Sequence, residues 1–201
     1  MSTGESGRLI LVRHGESEGN RDRRFTQSSD VPLTAIGEEQ AREAAAVIRA
    51  HYRPEAVVAS PFRRAQQTGT IIAETLGLPI RFEDDLREQN FGLLAGKPYD
   101  TMVTDLGSHE GPRWEWRPTG GESLVDVYNR AVPALDRIAI AHRGRDVVVV
   151  SHGGVMFALG AYVSGSWETS RVPPNCGIFV VEHDETGYRP PLILNAGGEV
   201  T

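Results

Sequence analysis

Four side chains suited to phosphate chemistry stand just past the ends of apolar runs in this sequence. They are Arg13 and His14 after Leu9–Val12, Arg64 after Ala56–Ala59, and His152 after Asp146–Val150. Arginine carries a fixed charge, and its forked donors match phosphate oxygens. A neutral histidine is a nucleophile near pH 7. If folding brings these four groups together, they predict a site that binds a tetrahedral dianion and attacks it with a histidine.

Phosphoryl transfer also needs a proton for the leaving oxygen, and a carboxylic acid close to the phosphate can supply it. Glu88 lies in a polar stretch, Asp84–Gly92, that follows the third predicted strand. We therefore predict that Glu88 is the general acid. No residue cluster in the sequence has the spacing of a metal site, so we expect the arginines to neutralise the phosphate, with no metal or other cofactor.

The apolar runs alternate with helical patterns along the chain. The predicted strands are Leu9–Val12, Ala56–Ala59, Pro79–Phe82, Asp146–Val150, Ile178–Val181 and Arg189–Leu194. The predicted helices run from the Thr34 cap to Ala50, from the Ser60 cap and Pro61 to Leu76, over Tyr99–Leu106, from the Ser123 cap past Ile138, and over Val155–Val163. Alternation predicts an α/β fold, a three-layer αβα sandwich with a mostly parallel sheet and helices on both faces. The four groups would then converge at the carboxyl edge of that sheet.

Size and composition favour one domain over residues 1–201, with Met1–Gly7 as a disordered tail and residues 93–121 as a small cap. The net charge of −6 argues against a general nucleic-acid surface. No apolar run approaches the roughly 20 residues of a membrane span. A single cysteine, Cys176, excludes an internal disulfide. We expect a cytoplasmic monomer or homodimer with no nucleic-acid or membrane partner.

The stretch Leu11–Ser17, LVRHGES, resembles the signature of the histidine phosphatase superfamily, the phosphoglycerate-mutase-like proteins. Further matches follow in the family's order as far as residue 154: Asp30–Thr34 with Gly37, Ser60–Ala65 with Gln67 and Thr68, Leu86–Glu88 with Phe91 and Gly92, Gly121–Ser123, and Ser151–Gly153. The resemblance implies a phosphoglycerate-mutase-like fold and a phosphohistidine intermediate that forms on His14. It also implies phosphate contacts from Arg13, Asn20, Arg64 and His152.

The same resemblance assigns further roles. Glu88 matches the acidic residue that protonates the leaving group and then activates water. Thr26, Gln27 and Gly153 match positions next to the substrate, although Gln27 stands where the mutases usually carry glycine. The family does not require a metal. The substrate implied is a small phosphorylated metabolite.

The superfamily contains both phosphatases and mutases, and the sequence favours a phosphatase. In the mutases, the stretch after the general acid usually carries a tyrosine, a lysine and an arginine pair in a longer insertion. Here Phe91 and Tyr99 stand at the first two positions, and Arg113 and Arg117 are not adjacent. We therefore expect a metal-independent phosphomonoesterase of the histidine acid phosphatase type. A 2,3-bisphosphoglycerate-dependent phosphoglycerate mutase and a silent module that binds phosphate esters are the alternatives.

Three smaller expectations concern residues near this site. Arg63 is interpreted as a solvated neighbour of Arg64. The cluster Arg21–Arg24 suggests a contact with a second negative group of the substrate. Trp114 and Trp116 are interpreted as packing residues of the cap.

Overall fold

The computed structural model describes residues 6–26, 28–107, 109–184, 187–189 and 192–194. Its strands are β1 Gly7–Arg13, β2 Pro54–Ala59, β3 Ile80–Phe82, β4 Asp146–Ser151, β5 Ile178–Asp184, β6 Gly187–Tyr188 and β7 Leu192–Leu194. Its α-helices are α1 Glu18–Arg21, α2 Ala35–His51, α3 Arg63–Leu76, α4 Thr101–Leu106, α5 Leu124–Ala141 and α6 Gly153–Ser164. Short 3₁₀ turns cover Asp84–Leu86, Gly92–Leu94 and Arg113–Glu115.

The strands form one sheet in the order β3-β2-β4-β1-β5-β6, with β7 also paired to β5. Strands β3, β2, β4 and β1 are parallel, and β5 runs antiparallel to β1. Arg13 pairs with Ser151, and Ala59 pairs with Val150, so β1, β2 and β4 end at the same level. The predicted mostly parallel sheet is confirmed, and its carboxyl edge gathers the residues that follow these three strands.

Both faces of the sheet are covered, which is why β1 and β4 read as continuous apolar runs. Leu11 and Val149 point into a cluster with Leu135 of α5 and Met156 of α6. Ile10 and Val148 point to the opposite side, into a cluster with Ile48 of α2 and Ile72 of α3. The predicted three-layer sandwich follows from this alternation of side chains along the strands.

The start of α3 corrects one prediction. Ser60 and Pro61 were expected to open this helix, but Phe62 is its N-cap residue and no side chain caps it. The Ser60 hydroxyl is instead within 2.7 Å of the His152 ring, a contact across 92 residues of sequence. Ser60 thus contacts His152 and does not cap α3.

Other boundaries also move. Gly7 belongs to β1 and not to the tail, residues 1–5 lie outside the described residues, and α6 begins at Gly153 and not at Val155. The predicted strand Arg189–Leu194 is described only in part, as β7. The polar segment after β1 contains the short helix α1, whose Ser17 and Asn20 form a capping box.

The predicted cap contains α4, which covers most of the expected helix over Tyr99–Leu106. Its buried centre is formed by Phe25, Leu94 and Trp116, with Phe91 and Tyr99 packed against them. Phe25 comes from the segment after α1, so the cap is fastened to the chain that follows β1. None of the helices in the described ranges combines the length and hydropathy that a membrane crossing requires.

Candidate active site

A cavity of about 320 Å³ opens at the carboxyl edge of the sheet. The predicted site residues that line it are Arg13, His14, Asn20, Thr26, Arg64, Glu88 and Gly153. The His152 ring packs edge-on against the His14 ring, with centroids 5.1 Å apart. Gln27 lies outside the described residues. The structure thus brings together the residues that the sequence placed at three strand ends.

His14 is buried and held in one tautomer. Its Nδ1 lies 2.7 Å from the Gly15 carbonyl, which can only accept, so the ring proton is on Nδ1. Its Nε2 therefore carries a lone pair and accepts a hydrogen bond from Arg64 Nε at 3.2 Å. Burial, and then the charges of Arg64 and Arg13, hold the pKa of His14 well below its ordinary value. The ring is neutral at pH 7, with its free nitrogen among the arginines.

Arg13 and Arg64, two of the three arginines that line the cavity, have no acidic partner among the residues that the structure describes. Arg64 lies in the first turn of α3 and is almost fully buried, and Arg13 donates from Nη1 to the Pro173 carbonyl at 2.8 Å. The buried Nε of Arg13 has no hydrogen-bond partner in the described part of the chain. Within the same residues, neither guanidinium forms an ion pair. Burying unpaired charge is costly, so this arrangement calls for an anion from outside the protein.

His152 supplies a further group to the cluster. Its Nε2 contacts the Ser60 hydroxyl at 2.7 Å, and the oxygen of that hydroxyl accepts a hydrogen bond from the Phe62 amide. Its Nδ1 is buried and unpartnered among the described residues. Burial, followed by the charge of Arg64 and the neighbouring His14, lowers the pKa of His152 well below its ordinary value.

Asn20 is positioned by its own capping box and by a segment that sequence reasoning missed. Asn175 Nδ2 donates to Asn20 Oδ1 at 3.1 Å and to the His14 carbonyl at 3.0 Å. Asn20 Nδ2 in turn donates to Tyr99 Oη at 3.2 Å, which links the site to the cap. No pattern around Asn175 signals this role, since it lies in an irregular segment between α6 and β5.

Glu88 reaches the cavity from the loop after β3. Its Oε1 accepts hydrogen bonds from the backbone amides of Gln89 at 2.9 Å and Gly154 at 3.1 Å. Gly154 lies in the first turn of α6, where backbone amides favour a carboxylate. Burial lowers the pKa of Arg13 and of Arg64, and the nearby Glu88 charge opposes part of this effect.

Arg130 of α5 holds the Glu88 loop in place. Its Nη1 donates to the carbonyls of Asp85 and Arg87 at 2.8 Å, and its Nη2 donates to the Glu88 carbonyl at 3.1 Å. The Glu122 carboxylate accepts from the same guanidinium at 2.9 Å. A nearly buried arginine thus fixes three loop carbonyls at once. No local sequence pattern indicates this role, because the three carbonyl partners are more than forty residues away.

The predictions for the arginines near the site have different outcomes. Arg63 is half-exposed and pairs with Asp30, as interpreted. Arg21 pairs with Asp22, Arg24 donates to the Gly96 carbonyl, and none of the residues from Arg21 to Arg24 lines the cavity. The suggested second anion contact therefore receives no support from this cluster. No group of three or more His, Cys, Asp or Glu side chains that could hold a metal ion occurs among the described residues.

The buried neutral histidines predict a stability that depends on pH. In the unfolded chain each imidazole takes up a proton near its ordinary pKa of about 6.5. In the folded chain the pKa of His14 and His152 is lowered, so the unfolded state binds more protons as the pH falls. We expect the free energy of unfolding to decrease below pH 6.5 by up to about 1.4 kcal/mol per pH unit for each histidine.

Urea unfolding at several pH values between 5 and 7.5 measures this slope. The His14→Gln variant removes one of the two groups, so its slope should be smaller. An unchanged slope in that variant would exclude His14 as a source of the acid sensitivity.

Comparison with known proteins identifies the family pattern over nearly the whole chain. The sequence model of the histidine phosphatase superfamily (branch 1) matches residues 9–194. A glucosyl-3-phosphoglycerate phosphatase of Mycolicibacterium vanbaalenii is 34% identical over 171 residues, which cover 79% of this chain and 74% of that protein. A probable phosphoglycerate mutase, GpmB, of Salmonella paratyphi C is 31% identical over 204 residues, which cover 96% and 93%.

The fold is also similar to that of a solved phosphatase structure. A mycobacterial glucosyl-3-phosphoglycerate phosphatase in complex with VO3 superposes with a TM-score of 0.79 at 28% sequence identity. The superposition covers 93% of this chain and 97% of that one.

Proposed function

Because the chain belongs to branch 1 of the histidine phosphatase superfamily, we propose that it hydrolyses the phosphate ester of a small metabolite through a phosphohistidine at His14. Its relatives include phosphatases and phosphoglycerate mutase-like proteins. The observation that carries the proposal is the pair of arginines without acidic partners around the lone pair of His14 Nε2. A phosphate dianion satisfies both guanidinium groups and lies within reach of the nucleophile.

Substrate binding begins with the phosphate. Arg13 and Arg64 neutralise its charge, and the buried Nδ1 of His152 and the Asn20 amide take further oxygens. The dianion displaces the hydrogen bond between Arg64 Nε and His14 Nε2, which frees the lone pair of that nitrogen for attack. The arginines perform the charge neutralisation, so we propose that no metal is needed.

The first chemical step moves the phosphoryl group. A bond forms between His14 Nε2 and phosphorus, while the bond between phosphorus and the ester oxygen breaks. Glu88, which enters this step as the carboxylic acid, gives its proton to that oxygen and becomes a carboxylate, and the alcohol leaves. The Gly15 carbonyl keeps the proton on His14 Nδ1 and stabilises the ring as it acquires charge.

The second step reverses these roles with water. The Glu88 carboxylate takes a proton from a water molecule, which attacks phosphorus as the bond to Nε2 breaks. Inorganic phosphate leaves, and His14 and Glu88 return to their starting states.

The positions of two arginines in the cap favour hydrolysis over a mutase reaction. Arg117 pairs with Asp126 at 2.7 Å, whereas Arg113 lines the cavity. Phe91 and Tyr99 also line the cavity. This wall of the cavity offers one guanidinium, that of Arg113, to a second phosphate group. A mutase must hold its substrate by that second group while the phosphohistidine exists. Weak holding favours attack by water on the phosphohistidine, and therefore hydrolysis.

The test is phosphate release from p-nitrophenyl phosphate in the presence of excess chelator. We expect metal-independent turnover, and we expect no interconversion of 2- and 3-phosphoglycerate when 2,3-bisphosphoglycerate is added. Mutase turnover with negligible hydrolysis would replace the proposal with the mutase reaction. Phosphate binding without either reaction would indicate the silent binding module.

A methyl group at position 154 should disturb the general acid. A Cβ on Gly154 would lie 2.7 Å from Glu88 Oε1 and 3.3 Å from the Gln89 Cβ, so the carboxylate must move. We expect Gly154→Ala to lower kcat by about 10- to 100-fold, since small displacements of catalytic groups have effects of that size. Gly107→Ala, at an exposed helix end with φ −61°, is the control. Equal kcat values in the two variants would argue against this placement of Glu88.

A further inference from the structure

A second cavity of about 560 Å³ adjoins the first. Arg113, Phe157 and Val172 line both cavities, so the two spaces border on the same three side chains. The outer cavity is closed further by Trp114, Trp167 and Arg171. A group attached to a phosphate on His14 would pass Arg113 to reach the outer cavity, which is the larger of the two.

Two parallel indole rings form the wall of this outer cavity. Trp114 and Trp167 have ring planes 9° apart and centroids 5.8 Å apart. Carbon atoms in contact lie about 3.5 to 4.0 Å apart, so two nearly parallel rings with this centroid distance are offset and do not overlap fully. Both tryptophans are half-buried. The sequence placed Trp114 with Trp116 in the packing of the cap, but only Trp116 is buried there.

Aromatic contacts with two helices hold Trp167 in place in this wall. Its ring contacts Tyr128 of α5 at 5.5 Å and Phe157 of α6 at 6.0 Å between centroids. Trp114 comes from the 3₁₀ turn Arg113–Glu115 of the cap. The two rings thus join the helical layer to the cap across the mouth of the cavity.

The charged groups around the rings favour a polar ligand. Arg113 makes no ion pair or side-chain hydrogen bond within the part of the chain that the structure describes. Arg171 Nη1 donates to the carbonyls of Glu168 and Ser170, so its charge is not offset by a bonded carboxylate. Glu168 is the acidic residue among those that line the outer cavity.

We propose that the outer cavity is the leaving-group subsite, and that it selects phosphomonoesters whose leaving group contains a ring with an apolar face. The ring stacks on the face of Trp114, and Arg113 and Arg171 contact its polar substituents. Aromatic bases and the apolar faces of sugar rings share this chemistry. The inference rests on the proposed function, because it takes the phosphate to lie at His14.

The first test measures selectivity. The substrates are adenosine 5′-monophosphate for a base, glucose 6-phosphate for a sugar ring, and glycerol 3-phosphate, which has no ring. We expect at least one of the two ring compounds to have a higher kcat/KM than glycerol 3-phosphate. Trp114→Ala should lower the ratio of its kcat/KM to that of glycerol 3-phosphate about tenfold, the size of one stacking contact. Trp114→Phe should keep most of this ratio. The control is Phe82→Ala, at an exposed aromatic residue that lines neither cavity.

A second test is independent of catalysis. In the His14→Ala protein, quenching of tryptophan fluorescence gives a Kd for each of the three compounds. If wild type releases no phosphate from any ester, the proposed hydrolase is wrong, and the subsite still stands if Trp114→Ala weakens ring-compound binding selectively. If turnover is present but Trp114→Ala leaves the ratio unchanged, the subsite is wrong and the hydrolase stands. If the ring compounds bind no more tightly than glycerol 3-phosphate, the proposed subsite is also wrong. The two ring compounds distinguish a base from a sugar.

Discussion

Replacement of His14 by alanine is expected to lower kcat for phosphomonoester hydrolysis by at least about 10⁴-fold, the scale seen when a catalytic nucleophile is removed. The reason is geometric, because His14 presents an unprotonated ring nitrogen beside Arg13 and Arg64, which form no ion pair among the described residues. Neither Arg64 nor Arg13 can form the covalent intermediate in its place. Initial rates with p-nitrophenyl phosphate, with chelator present, measure the effect.

Two observations sharpen this prediction. His51→Ala, at an exposed histidine that ends α2, should retain wild-type kcat. Rapid quenching of wild type with labelled substrate should trap a phosphorylated protein that is stable in base and labile in acid, and His14→Ala should trap none. A His14→Ala protein with a kcat within tenfold of wild type would refute the nucleophile assignment.

The second large effect is expected for Glu88→Gln. Glutamine keeps the shape of the side chain and the hydrogen bonds from the Gly154 and Gln89 amides, but it has no proton to give. We expect kcat for an alkyl phosphate such as glycerol 3-phosphate to decrease by about 10²- to 10⁴-fold, the usual contribution of general acid catalysis. Nitrophenolate leaves without a proton, so p-nitrophenyl phosphate should lose much less in the first step.

This dependence on the leaving group separates a general acid from a structural carboxylate. Burst kinetics with p-nitrophenyl phosphate should show rapid release of nitrophenol and slow turnover, because the variant also lacks the base for water. Glu74→Gln, at an exposed position of α3, is the matched control. Equal losses for both substrates, with no burst, would contradict the role of Glu88.

Local patterns were enough to predict the part of the site that lies on the sheet. Apolar runs locate β1, β2 and β4, and the rule that parallel strands share a carboxyl edge places Arg13, His14, Arg64 and His152 together. The residue types then favour the phosphoryl transfer that we propose. These positions are predictable because each one depends on neighbours in sequence or on a general rule of sheet topology.

The contacts that orient these groups were not predictable, because they join distant segments. Ser60 looks like a helix cap, but it contacts His152. Arg130 looks like a surface residue of α5, and Asn175 like part of an irregular connection, yet they hold the Glu88 loop and the end of β1. A single sequence contains no local pattern for such pairs. They depend on how the layers pack after the strands have formed.

The outer cavity has a different origin in the chain from the phosphate-binding cluster. The sheet edge carries Arg13, His14 and His152, whereas Trp114 comes from the cap and Trp167 from the segment after α6. Mutations at these two tryptophans can reshape the outer wall without a change in strand register or in the arginine pair. This separation makes the scaffold evolvable, because a gene with this layout can acquire a new substrate range through substitutions at the rim while its reaction chemistry is inherited intact.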